Sequence, residues 1–132
     1  MTYRTLVQRA RNAKRFSRSP YSHFRVGAAV LTAGGRVYTG CNIESSSFGL
    51  TVCAERVALF KALSEGEKKF TAIAIATDGG RFTPPCGACR QVITDFAGDI
   101  DFIMSAPDGR VWVMKMTDLL PHPFSDKDFL RK

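Results

Sequence analysis

Two short segments of this 132-residue chain carry residue types able to hold a metal and move protons: Cys53-Ala54-Glu55 and Pro85-Cys86-Gly87-Ala88-Cys89. Thiolates are good zinc ligands, and a catalytic zinc keeps three protein ligands and leaves its fourth position to water. Cys86 and Cys89 stand three residues apart, so both can point inward from the first turn of one helix. Cys53, at the start of a different helix, can supply the third sulfur. Two helix N-termini would then converge on the ion, each bringing unpaired N–H groups and partial positive charge. Pro85 suits a helix start, where an N–H has no intrahelical partner to lose.

Charge counting shows what such a site must overcome. One Zn²⁺ with three thiolates sums to −1, which makes the metal a poorer acid for its water. The helix dipoles offset part of that deficit, and Arg56 can offset more by hydrogen bonding to sulfur. Glu55, two residues after Cys53, is the natural proton carrier because thiolate ligands leave no other base nearby. Two plainer readings stay open on spacing alone. Cys41 could complete a closed four-thiolate knot, or Cys86 and Cys89 could be a redox pair. A closed knot has no need of Glu55, and a redox pair gives Cys53 nothing to do.

The rest of the chain must position these groups. Its length suits one domain spanning 1–132, and 45% hydrophobic with 23% charged residues fits an ordinary globular protein. No apolar run approaches the roughly 20 residues of a membrane helix. The first residues, interrupted by Arg and Lys, lack the apolar core of a signal peptide, so the cytoplasm is the expected compartment. The net charge of +7 invites a nucleic-acid reading. The basic residues are dense in 4–25 and reappear at 61–69 and 127–132 with no interleaved stack of exposed aromatics. This fits a solvated helix face or a subunit contact better, and no nucleic-acid partner is expected.

Apolar periodicity predicts a helix over 3–16, with Tyr3, Leu6, Val7, Ala10, Ala13 and Phe16 near one face. A strand at 24–31, a turn at Ala33-Gly34-Gly35 and a strand at 36–41 form a hairpin. A loop over 42–51 leads to a helix at 52–64, and FTAIAIAT at 70–77 reads as a buried strand. A turn-rich loop precedes a helix at 86–96, strands at 101–105 and 111–115, and a short helix at 117–120. Trp112, Met114 and Met116 alternate as packing residues would. The order predicts an α/β fold, one mixed five-stranded sheet covered by helices on both faces.

Five segments in this order resemble the small homotetrameric cytidine deaminases: Tyr21–Ala29, Gly40–Glu44, Thr51–Arg56, Pro85–Gln91 and Leu119-Leu120-Pro121. The resemblance implies a three-layer α/β/α sandwich and hydrolysis of free cytidine and deoxycytidine in pyrimidine salvage. It implies that Cys53, Cys86 and Cys89 hold one zinc per subunit and that Glu55 shuttles protons. Asn42 and Glu44 would bind the ribose 3′-hydroxyl, Phe24 would pack on the pyrimidine, and the Ala54 N–H would reach the base carbonyl. Arg56 would neutralise thiolate charge, and Phe124 would enter a neighbouring subunit's site in a homotetramer. Ser45, Phe48 and Pro84 depart from the family's common Asn, Tyr and Ser. His23 and His122 are not needed as ligands, since three cysteines suffice.

For each carried-over residue a plainer role stands beside the implied one. Phe24 opens an apolar strand and reads as core on periodicity alone, while Asn42 and Glu44 could simply cap a loop. Three rival functions stand beside cytidine deamination. They are deamination of another aminopyrimidine nucleoside such as blasticidin S, deamination of a polynucleotide, and a non-catalytic zinc scaffold.

Overall fold

Thr2 starts the first helix by accepting a hydrogen bond from the Thr5 N–H at 3.1 Å, and α1 then runs Tyr3–Lys14. A computed structural model gives the arrangement of the chain and describes residues 1–129. After α1 come strands β1 (Val26–Thr32) and β2 (Val37–Cys41), helix α2 (Ala54–Ser64) and strand β3 (Phe70–Thr77). Helix α3 (Gly87–Ala97), strands β4 (Asp101–Ser105) and β5 (Val111–Lys115), and helix α4 (Met116–Leu119) complete the main elements.

The five strands form one sheet in the order β2-β1-β3-β4-β5. Only β3 and β4 run parallel, and α3 makes the crossover that a parallel pair requires. The central strand β3 is apolar on both faces because both are covered. On one face Leu6, Val7 and Ala10 of α1 pack on Ala29, Leu31, Ala72 and Ala74. On the other, Ala58 and Leu59 of α2 and Ile93 of α3 pack on Val30, Ile73, Phe102 and Met104. These layers are the expected α/β/α sandwich with its mixed five-stranded sheet. Among the described residues no helix is long and apolar enough to cross a membrane.

Glycine lets the helices approach the sheet closely. A Cβ on Gly27 would lie 2.0 Å from the Ala10 carbonyl oxygen of α1. A Cβ on Gly40 would lie 2.6 Å from the Ala58 nitrogen and 2.7 Å from the Ala54 oxygen. Gly40 therefore sets how near the first turn of α2, which bears Glu55, comes to β2.

Boundaries differ from the sequence expectation where local contacts intervene. Helix α1 ends at Lys14, and Phe16, expected on its apolar face, is exposed beneath the Arg15 guanidinium at 4.8 Å. Strand β1 starts two residues later than expected. His23 takes a φ of 56°, and the Arg25 N–H is held by the Asp78 carboxylate at 3.0 Å. Helix α2 starts later because Val52 is bridged to Ile43 and Cys53 serves as N-cap. Met116 is buried, but Trp112 is half-exposed on edge strand β5 and meets Phe82 edge-on at 5.7 Å.

Substituting Gly40→Ala tests the close approach. Its nearest neighbours are backbone atoms that cannot swing aside, so unfolding in denaturant should show a loss of about 1–3 kcal/mol. An unchanged midpoint would contradict the tight seating of α2.

Candidate active site

Both sulfur-bearing helix ends face the same point. Cys53 is the N-cap of α2 and Cys86 the N-cap of α3, and neither cap makes a side-chain hydrogen bond to its helix. The opening N–H groups of both helices are therefore left to whatever lies in front of them. Cys89 sits one turn into α3, fully buried. The Sγ atoms of Cys53, Cys86 and Cys89 lie within 4.8 Å of one another, and Cys53 and Cys86 are 3.6 Å apart. Zinc–sulfur bonds of about 2.3 Å place neighbouring corners of a tetrahedron about 3.8 Å apart. The trio fits zinc. Cys41, half-buried at the end of β2, is not part of this group.

The Cys53 thiol is biased toward ionisation. A hydrogen bond with Cys89 and one from Arg56 outweigh burial and pull the Cys53 thiol down to about 5. The Arg56 Nη2 donates to the Cys53 Sγ at 3.4 Å. The bond with Cys53, together with burial, pushes the Cys89 thiol up. Cys53 therefore ionises ahead of Cys89, its thiolate held by the bond with Cys89 and by the Arg56 guanidinium. A metal then displaces the remaining protons, as thiolate ligation requires.

Glu55 is only 4% exposed, in the first turn of α2 beside these sulfurs. Burial is the main reason its carboxyl is pushed up to about 7, partly opposed by its own N–H. Such a group can both take and give a proton near neutrality. Glu55 forms part of a cavity of about 190 Å³ with Val26, Asn42, Cys53, Thr77, Pro84 and Cys86.

A second depression of about 390 Å³ is lined by Tyr21, Ser22, Glu44, Phe48 and Thr51. Thr51 lines both, so the two adjoin. Asn42 and Glu44 organise the loops between them. The Asn42 side chain donates to the Phe24 carbonyl at 2.8 Å and accepts from the Val26 N–H at 2.9 Å and from the Ser17 hydroxyl. Among the described residues its second amide hydrogen has no partner. Glu44 accepts from the Tyr21 and Ser22 N–H groups at 3.0 and 3.1 Å and from the Ser22 hydroxyl. These donors, the Ser22 hydroxyl foremost, hold its carboxyl below the usual range. The loop-capping role foreseen as an alternative is thus present in both residues.

Of the remaining expected site residues, Ala54 is fully buried at the start of α2. Phe24 is half-buried, its ring edge beside Gly79. Phe124 is 62% exposed and stacks on Phe129 at 6.0 Å. Sequence reasoning missed Thr77 and Thr83, which line the inner cavity with their hydroxyls 3.3 Å apart. Nothing in the spacing of two threonines across Gly79-Gly80 marks them.

Three sulfurs placed to hold one metal, with a buried carboxyl beside them between two helix ends, suit the activation of a water by a metal. Residues 1–104 match the family model described as the cytidine and deoxycytidylate deaminase zinc-binding region. A cytidine deaminase of Halalkalibacterium halodurans is 43% identical over 129 residues, covering 97% of this chain and 98% of that protein. The crystal structure of cytidine deaminase from Burkholderia pseudomallei superposes with a TM-score of 0.91 at 42% identity, covering 94% of this chain and 100% of that one. A blasticidin-S deaminase of Bacillus cereus is more distant, 34% identical over 104 residues, covering 73% of this chain and 74% of that protein. The chain belongs to the zinc-dependent cytidine deaminase family.

The geometry separates Cys41 from the metal trio. Cys41→Ser should retain one zinc per chain by metal analysis, whereas Cys89→Ser should lose most of it. Loss of zinc on replacing Cys41 would place a fourth sulfur at the centre.

Proposed function

We propose that this chain, as one domain, hydrolyses free cytidine and deoxycytidine to uridine and deoxyuridine with release of ammonia. The observation that carries the proposal is the buried Glu55 carboxyl beside the three sulfurs, in a small cavity that opens toward the Glu44 carboxylate. In this reading the pyrimidine occupies the inner cavity and the sugar the outer depression. Cys53, Cys86 and Cys89 would hold a zinc ion, which would supply a water acidic enough to act as a nucleophile near neutral pH.

The chain's own residues do the rest. Glu55 takes a proton from the attacking water and delivers it to ring N3, which makes C4 electrophilic. With the water oxygen bonded to C4, Glu55 takes the remaining proton from that hydroxyl and gives it to the amine. The C4–N bond breaks, the C4 carbonyl forms and ammonia leaves, the carboxylate serving as base and acid in turn. The Ala54 N–H, unpaired at the helix start, donates to the base carbonyl. The Pro84 carbonyl accepts from the leaving amine, a role proline retains in place of serine. Phe24 packs against the ring. The spare Asn42 N–H and the Glu44 carboxylate recognise the 3′-hydroxyl, so an analogue lacking it leaves a polar group unpaired. Arg56 draws charge from Cys53 and so keeps the centre acidic.

The family resemblance supports a homotetramer in which the exposed Phe124 reaches a neighbouring subunit's site, and a place in cytoplasmic pyrimidine salvage. The likeness to a blasticidin-S deaminase supports a second reading, in which a different aminopyrimidine nucleoside is the substrate. Side-by-side assays with cytidine, deoxycytidine and blasticidin S separate the two.

Glu55→Gln tests the mechanism. Cytidine turnover, followed by the fall in absorbance on deamination, should drop by about 10²–10⁴-fold or more while zinc content is unchanged. Wild-type turnover in a zinc-replete Gln variant would remove Glu55 from the proton path.

A further inference from the structure

The residue after ligand Cys89 takes no part in the chemistry above, yet its side chain joins two distant segments. Arg90 of α3 donates from Nε to the Pro85 carbonyl at 2.9 Å and from Nη1 to the Leu119 carbonyl at 2.8 Å. Neither oxygen has another hydrogen-bond partner among the described residues. Its neighbour Gln91 donates to the Phe124 carbonyl at 2.7 Å, so two consecutive side chains hold the same C-terminal segment.

The sequence around Cys86 explains why such a bond matters. Pro84 and Pro85 have no N–H, so this stretch cannot be anchored by donating and offers only its carbonyls. Proline fixes φ by its ring, but ψ of Pro85 remains free. That angle orients the Pro85–Cys86 peptide and hence the direction in which Cys86 leaves the chain. Cys86 is the most exposed of the three ligands, and its own side chain makes no capping bond to α3. Pro85 is buried, so without Arg90 its oxygen would sit desolvated and unpaired. Leu119 is also buried at the end of α4, and the residue four positions on, Pro123, has no N–H to offer it. A planar guanidinium serves both oxygens at once, which a lysine ammonium cannot reproduce in the same geometry.

We propose that Arg90 is a positioning residue that fixes the Pro84–Cys86 wall of the site, and with it the Cys86 ligand, by tying that wall to the C-terminal segment. The proposal rests on the zinc-site reading above and extends it to a residue that touches neither metal nor substrate.

The test compares wild-type protein with Arg90→Lys and Arg90→Ala, all as full-length chains loaded with zinc. Zinc affinity is measured by competition with a chromophoric chelator, alongside thermal unfolding and kcat/KM for cytidine. Both variants should bind zinc 10–100-fold more weakly, with Lys failing to restore the affinity because it keeps the charge but not the fork. Should the Ala variant fail to fold, the Lys variant decides. Folded variants with zinc affinity within twofold of wild type would overturn the proposal, even if their unfolding temperature fell, since that is what a purely structural clasp would produce. A wild-type protein inert toward cytidine would count against the deaminase reading alone, because the affinity comparison does not depend on turnover.

Discussion

Three ionisable sulfurs packed within 4.8 Å of one another are mutually repulsive once deprotonated, and the surrounding structure is arranged to tolerate that charge. Two of them are helix N-caps whose helices present unpaired N–H groups toward the cluster. The Arg56 guanidinium faces Cys53 from one turn further along α2. Each contribution is modest, since a helix terminus is worth roughly 0.3–1 kcal/mol toward a nearby charge, up to about 2 in partly buried geometry. Their direction is common to all: they favour thiolate, and they lessen the electron donation that would blunt a bound zinc.

Packing converts this local electrostatics into a fixed geometry. Helix α2 lies so close to β2 that only a glycine fits at position 40, and α3 is seated through Ile93 and Cys89 in the same core. The buried Glu55 follows from the same seating. A carboxyl one residue into α2 has nowhere to go but the cavity beside the sulfurs, and removal from water raises its proton affinity toward neutrality. A single constraint, two helix ends held against one sheet face, therefore brings together the three sulfurs and the buried carboxyl. The outer depression is built differently, from loops tied together by Asn42 and Glu44 through bonds to Phe24, Val26, Tyr21 and Ser22.

Much of this was legible in the residue pattern. FTAIAIAT could only be a strand buried on both faces, and β3, β4 and β5 fall where alternation and the Pro107-Asp108-Gly109 turn placed them. Cys53, Cys86, Cys89 and Glu55 were readable because ligand chemistry demands particular side chains at particular spacings. Helix ends were less so. The start of α2 moved because Val52 bridges to Ile43, and the start of β1 because Asp78 holds Arg25, and both partners lie far away in sequence. Trp112 shows the limit of alternation, which gives the face of a strand but not whether a helix covers it. Thr77, Thr83 and the reach of Arg90 to Leu119 depend wholly on tertiary approach, and no local signal announces them.

The central claim is a metal bound by three sulfurs with its fourth position open beside Glu55. X-ray absorption at the zinc edge of the purified protein reads that first shell directly. Three sulfur scatterers at about 2.3 Å and one lighter oxygen or nitrogen scatterer at about 2.0 Å are the expected result. A shell of four sulfurs would mean a closed structural centre and would contradict the account.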